Sequence, residues 1–284
     1  MDFSPEQLIL AVKPERRRAA SGAIRHATSM FNTMLIRLLQ IGAGLAVWHG
    51  LVTWLNIDSR IVPAPWDVIR TLYALILNGQ MQHAAFVTLE ETIIGFLIGS
   101  LLGIGLAVAL SELPPLRQLL QPYVVAIQAV PKVAVAPLFL IWFGFGIESK
   151  VALVISIMFF PVLVNTLTGL DSVSDEQREL MRALRATRWQ TLRRVKIYVA
   201  LPYLFASFEV CLVLSLTAAV VAEMLGSGAT VGLGSLINIY SARMSSAGVF
   251  AVLVVLSLLG VVLHAAVLLA ARLCLAWQQV PGGK

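Results

Sequence analysis

Long apolar runs, following one another with only short polar interruptions, constrain this chain more than any other feature. A helix needs roughly 20 apolar residues to cross a hydrocarbon core about 30 Å thick. Inside that core its backbone must satisfy its own hydrogen bonds, so helices or closed barrels are the only spanning forms. Runs that meet the helical requirement cover residues 34–55, 86–110, 123–143, 151–170, 199–225 and 249–277. We therefore expect an all-α integral membrane protein of about six transmembrane helices. Only 13% of the residues are charged, whereas soluble domains carry about a quarter.

The charges cluster between the runs, and their signs fix an expected orientation. Lys13, Arg16, Arg17, Arg18 and Arg25 precede the first run, and Arg178, Arg182, Arg185, Arg188, Arg193, Arg194 and Lys196 separate the fourth from the fifth. The opposite loops, at 56–82, 144–150 and 226–248, carry few basic residues. By the positive-inside rule the basic side is cytoplasmic, which places residues 1–33, the loop at 171–198 and the tail at 278–284 in the cytoplasm and residues 34–277 in a membrane domain. A net charge of +6 invites a nucleic-acid reading, but such a footprint needs a water-facing basic module, so no nucleic-acid partner is expected. The basic start is not followed by a short apolar core with a small-residue cleavage site, and the first run is read as a retained anchor. Cys211 and Cys274 both lie in apolar runs and are read as small buried residues. His26, His49, His83 and His264 are too scattered for a metal site.

Two features break the regularity of the runs. Gly95, Gly99, Gly103 and Gly105 lie along the second and offer a shallow face for close helix approach. Pro131 and Pro137 interrupt the third, and Pro161 and Asn165 lie within the fourth. Proline removes a backbone donor and kinks or breaks a helix, a break tolerated at membrane depth where it faces protein or a water-filled cavity.

The segment 171–202 is the longest polar stretch between runs. Leu180, Ala183, Leu184, Thr187, Thr191, Leu192 and Val195 recur at three- and four-residue steps with arginines between them, the pattern of an amphipathic helix. Such a helix rests on anionic headgroups or docks into a groove on a cytoplasmic partner.

In this segment the residues Glu179-Leu-Met-Arg-Ala183-Leu-Arg-Ala186-Thr-Arg-Trp189, then Val195-Lys-Ile197 and Ala200-Leu-Pro202, resemble the EAA loop of binding-protein-dependent ABC transporter permeases. Ordered motifs extend the likeness over about residues 60–275: Val62-Pro-Ala-Pro-Trp-Asp-Val68, Ala129-Val-Pro-Lys-Val-Ala-Val-Ala-Pro-Leu138, Ile141-Trp-Phe-Gly-Phe-Gly146, Ser149-Lys150, Phe159-Phe-Pro161, Val164-Asn-Thr166, Val221-Ala-Glu-Met224 and Gly232-Leu-Gly234. Together they are similar to the nitrate/sulfonate/taurine branch of that family.

The resemblance implies a type I ABC importer-like permease fold with a cytoplasmic coupling helix in a bacterial inner membrane. It also implies companions: two copies of an ABC ATPase subunit, an extracytoplasmic substrate-binding protein, a second permease copy as homodimer, and membrane lipid. Glu179, Ala183, Arg185, Ala186, Arg188 and Trp189 would form the ATPase-coupling surface. Pro131, Pro137, Trp142, Asn165 and Glu223 are candidates for the translocation pathway or gate. The solute implied is nitrate, a sulfonate, taurine, bicarbonate or a similar small molecule. Two loop positions depart from the family: Arg185 stands where it has glycine and Tyr198 where it has proline, so a more continuous turn is expected after the coupling helix. Glu91 and Glu209 are atypical intramembrane acids. They are read as contacts to a partner subunit or headgroups, or else as groups that repel anions and suit a neutral or cationic heterocycle such as a pyrimidine precursor.

A Gly-x-x-x-x-Gly-Lys-Ser/Thr phosphate loop is absent from the sequence, and the glycine-rich stretch at 226–234 lacks the lysine that would reach phosphates. The chain is thus expected to bind no cofactor and to be no enzyme, with ATP and Mg on the partner ATPase. A nucleophile–histidine–acid set for membrane chemistry is not legible either. An ion-gradient-driven secondary transporter, the remaining alternative, normally shows internal repeats and more midplane ionisable residues.

Overall fold

A computed structural model describes residue 36 and residues 39–40, 42–226 and 231–278, and all ordered elements among them are helical. The basic segment 1–33, part of the first run, and residues 227–230 and 279–284 lie outside the described residues. The chain divides into a unit of residues 1–66 and a unit of residues 67–284.

In the first unit, helix α1 (42–54) is the longest described stretch of the expected first span. It ends at Asn56, which adopts a left-handed φ of 53°. The Ile57 amide then donates to Val52 O at 3.1 Å, the closure that such a residue makes at a helix C-terminus.

The second unit begins within helix α2 (Pro65–Leu77) and continues through α3 (Gln80–Glu112), α4 (Pro114–Gln128), α5 (Lys132–Phe143), α6 (Ile147–Asp171) and α7 (Asp175–Ala183). The short α8 (Arg188–Thr191) runs through a π turn at Leu192–Lys196 into α9 (Ile197–Leu225), and α10 (Leu233–Ala242) and α11 (Ser246–Cys274) complete the unit. Among the described residues, α3, α6, α8 through α9, and α11 are long and apolar enough to cross a membrane. They coincide with the second, fourth, fifth and sixth expected spans.

The third expected span is two helices. α4 and α5 meet at 96°, so residues 123–143 are not one straight rod. The break falls at Ala129–Pro131, where Pro131 has an extended ψ of 101° and serves as N-cap of α5. Proline cannot continue the ladder from α4, and the Lys132 ammonium donates to Gln128 O at 2.5 Å. A cation on the last carbonyls of α4 also suits the negative end of that helix's dipole. Pro122, Pro137, Pro161 and Pro202 lie inside helices without ending them.

The core of this unit is the seam between α3 and α6, continued by α9. A side chain on Gly99 would come within 2.9 Å of Met158 Cβ, and one on Gly103 within 2.8 Å of Phe159 O. Gly95, Gly99 and Gly103 therefore let α6 lie almost on the α3 backbone, as small residues do in membrane bundles. Gly105, expected on the same face, has open space around its Cα, because two residues along a helix turn about 200° away. Phe96, Val154, Met158, Val162, Cys211 and Ala219 fill the centre of the unit. Cys211 is buried as expected, whereas Cys274 is exposed. It sits in the last turn of α11, where residues 272–274 all face outward.

Candidate functional site

The loop between α6 and α9 is a pair of short, separately capped helices. Ser174 Oγ accepts from the Gln177 amide while Gln177 Oε1 accepts from the Ser174 amide, and Thr187 and Gln190 repeat the arrangement at the start of α8. Each box satisfies two donors that a helix start leaves bare. The Ser174 hydroxyl also holds the Glu176 carboxyl below its usual carboxylate range. The amphipathic repeat read across 180–195 is thus interrupted, not continuous. The interruption is centred on Arg185, whose φ is 51°. Its amide donates to Arg182 O and the Ala186 amide to Met181 O, each at 2.9 Å. Those two bonds form a Schellman closure, which favours glycine at the left-handed position. Arg185 therefore keeps the turn that a glycine would make, contrary to the more continuous path expected from the substitution. At Tyr198 the outcome is the reverse: the helix runs unbroken from the π turn into α9, since a tyrosine retains the amide that proline lacks.

Met181 and Leu192 pin the loop to the bundle; both are buried, and Leu192 joins a cluster with Leu110, Leu163, Leu170 and Ala200. Polar ties reinforce this. Lys196 Nζ lies 2.8 Å from Glu112 Oε1, and Arg117 pairs with Asp171 at 2.8 Å. The Arg178 guanidinium donates to Asp171 O at 2.8 Å. What remains outward is apolar as well as charged: Leu180, Leu184 and Trp189 are 59%, 67% and 66% exposed, so the inward stripe is Met181 and Leu192, not Leu180 and Leu184. Glu179, Ala183, Arg185 and Arg188 are exposed beside them and Ala186 is half-buried. A cavity of about 410 Å³ opens beside this knob, with Glu112, Arg178, Arg182, Arg188 and Lys196 in its wall.

The second polar assembly is buried between the long helices. Glu91 Oε1 of α3 lies 3.0 Å from Lys150 Nζ of α6, with both side chains fully buried. Thr88 Oγ donates to Glu223 Oε1 of α9 at 2.7 Å and accepts from the Leu233 amide at 2.8 Å. The Gly234 amide donates to Glu223 Oε2 at 2.5 Å. Glu223 thereby holds the start of α10, the positive end of its dipole, directly at Gly234 and through Thr88 at Leu233. Gly232 and Gly234 are where a side chain would collide with that carboxylate.

These positions revise the reading of the acids. Glu91 is fully buried beside Lys150, not at the outward position that a contact to headgroups or to a partner subunit needs. Lys150 was legible only as a residue near a span boundary; α6 starts at Ile147 and carries it into the interior. Glu209 is half-buried on α9 with no ion pair among the described residues. Of the pathway candidates, Pro131 marks the α4–α5 break, Pro137 and Trp142 are exposed on α5, and Asn165 is exposed and bonds back to Pro161 O at 2.8 Å. Glu223 alone is buried, so the five do not line one enclosed chamber.

Comparisons with known proteins agree with this architecture. Residues 95–273 match the family described as binding-protein-dependent transport system inner membrane component. A riboflavin transport system permease protein of Chloroflexus aurantiacus is 35% identical over 82% of this chain and 87% of its own length. A formylaminopyrimidine transport permease protein of Halalkalibacterium halodurans is 32% identical, covering 81% and 92%. A putative aliphatic sulfonates transport permease protein of Bacillus subtilis is 29% identical, covering 82% and 84%. Among solved structures, the inward-facing MetNI methionine ABC transporter superposes with a TM-score of 0.59 at 19% identity, covering 74% of this chain and 97% of that one. The glycine seam, the broken third span and the doubly capped loop between α6 and α9 are thus the frame of a multi-pass inner-membrane permease subunit of an ABC importer, and the chain belongs to the binding-protein-dependent transport system inner membrane component family.

Proposed function

We propose that this permease imports a small organic heterocycle, driven by an ATPase docked on the α7–α8 knob. The observation that carries the docking is the exposure of Leu180, Leu184 and Trp189 on a doubly capped loop. Large apolar side chains held outward by a rigid turn, outside the apolar spans, are a surface built to be covered. Glu179, Ala183, Arg185, Ala186 and Arg188 frame them, and two ATPase copies with ATP and Mg would engage two permease copies. The basic loop and the termini then lie in the cytoplasm, with a binding protein delivering solute on the other side. Differential docking in two ATPase states biases inward- and outward-facing forms.

The heterocycle is supported by two relatives above 30% identity whose names state a cargo, riboflavin and formylaminopyrimidine, and by Glu209, an acid with no ion-pair partner among the described residues, which disfavours an anion. The sulfonate relative favours a second reading, a small sulfonate or taurine. Pro131, Pro137, Trp142 and Asn165 remain pathway candidates under either.

Tagging the chain and purifying it from its native membranes tests the assembly. A stoichiometric P-loop ATPase and a binding protein are expected; the binding protein, screened against riboflavin, pyrimidines and taurine, then names the cargo class. Glu179→Lys is expected to abolish uptake while the chain still inserts, and normal uptake by that variant would remove the coupling assignment.

A further inference from the structure

The π turn at the foot of α9 borders a pocket that shares only Trp189 with the proposed ATPase-docking surface. It encloses about 350 Å³ between Trp189, Gln190, Arg193, Arg194 and Tyr198. Arg193 and Arg194 are exposed and neither has an ion-pair partner among the described residues. Two adjacent uncompensated guanidiniums on one wall present a fork suited to phosphate oxygens. Apolar helix begins at the next turn, with Ile197. Tyr198 packs edge-on against Trp277, centroids 6.1 Å apart, just beyond the end of α11. Tyrosine and tryptophan gather at headgroup level, so this pair marks the depth of the pocket as the membrane–water boundary. The π turn adds a residue to the helical circuit there, closed by the Ile197 amide on Leu192 O.

We infer that the pocket formed by Arg193, Arg194, Trp189, Gln190 and Tyr198 holds the phosphate headgroup of an anionic phospholipid. The ligand is recognised by three features together: its negative phosphodiester, its attachment to acyl chains that the apolar start of α9 accepts, and its abundance in the leaflet that basic loops face. A zwitterionic lipid offers the phosphate but adds a cation that the two arginines repel. The inference rests on the cytoplasmic placement of this loop proposed above. Lipid retention in detergent is measured without a sealed membrane, so its outcome stands apart from a failure of that placement, which labelling of the loop in intact cells reads separately.

The test is native mass spectrometry of the complete chain with its co-purified companions, equilibrated with equal phosphatidylglycerol and phosphatidylcholine. Wild type is expected to retain phosphatidylglycerol preferentially. R193Q/R194Q is expected to lose roughly tenfold or more of it, the scale of two interfacial arginines, while R243Q at the other end of the bundle changes nothing. R193K/R194K, which keeps both charges, is expected to retain phosphatidylglycerol above phosphatidylcholine and so separates loss of charge from loss of fold. Equal retention of the two lipids by wild type overturns the inference. So does unchanged phosphatidylglycerol in R193Q/R194Q, including the case where that variant instead sheds a bound ATPase, which would make the pocket a protein contact.

Discussion

Lys150 is the residue whose loss should matter most for stability. Sealed against Glu91 with no exposed surface, it compensates a carboxylate that the bundle has removed from water. Breaking a buried pair from one side leaves an uncompensated charge and costs roughly 3–5 kcal/mol, whereas replacing both partners with apolar groups is often near neutral. Lys150→Met should therefore lower thermal stability in detergent sharply, and Glu91→Leu/Lys150→Met should recover most of it, as read by loss of monodisperse chain on heating. Arg185 is the converse case, a residue held in a conformation it does not favour. A left-handed non-glycine residue costs about 1 kcal/mol or more, so Arg185→Gly should stabilise the loop by about that amount, measured as slower hydrogen exchange across 181–190.

Between elements, the glycine seam decides how closely α3 and α6 pack. At Gly103 the atoms in the way are backbone, Phe159 O and Leu163 N, and cannot rotate aside as a side chain tip would. Gly103→Val should cost about 1–3 kcal/mol, the range for overpacking, while Gly105→Val, into open space, should leave thermal stability unchanged. The α7–α8 loop shows what pattern reading missed at this scale. Its hydrophobic repeat suggested one amphipathic helix, yet Ser174 with Gln177 and Thr187 with Gln190 each spell a helix start. The second start, coming after Arg185, required the first helix to end. Local capping chemistry overrode periodicity, and the signal was present in the residue order. A break in the third run was legible from Pro131 and Pro137, but not that Pro131 alone makes it nor its 96° angle, because proline marks where a ladder can fail and the packing of α5 on α6 decides where the chain goes next.

Across the whole molecule, the second, fourth, fifth and sixth spans were legible because crossing a membrane depends on the length and apolarity of a run, which are local quantities. The buried cluster was not. Glu91, Lys150, Thr88 and Glu223 come from α3, α6 and α9, and their meeting depends on helix register and neighbour choice that no single segment carries. Lys150 in particular read as part of a connecting loop, since nothing nearby in the chain shows that α6 starts three residues before it. That pairing has a consequence for how the protein is made. A growing chain releases α3 into the bilayer well before α6 emerges, so for that interval Glu91 has no counterion and a buried acid is expensive in lipid. Until Lys150 arrives, the half-made protein has to keep α3 shallow or shielded, or carry Glu91 as the neutral acid. Chains that stop before α6 keep an unpaired carboxyl group in the membrane, a mark by which a cell's quality control can tell an unfinished permease from a finished one.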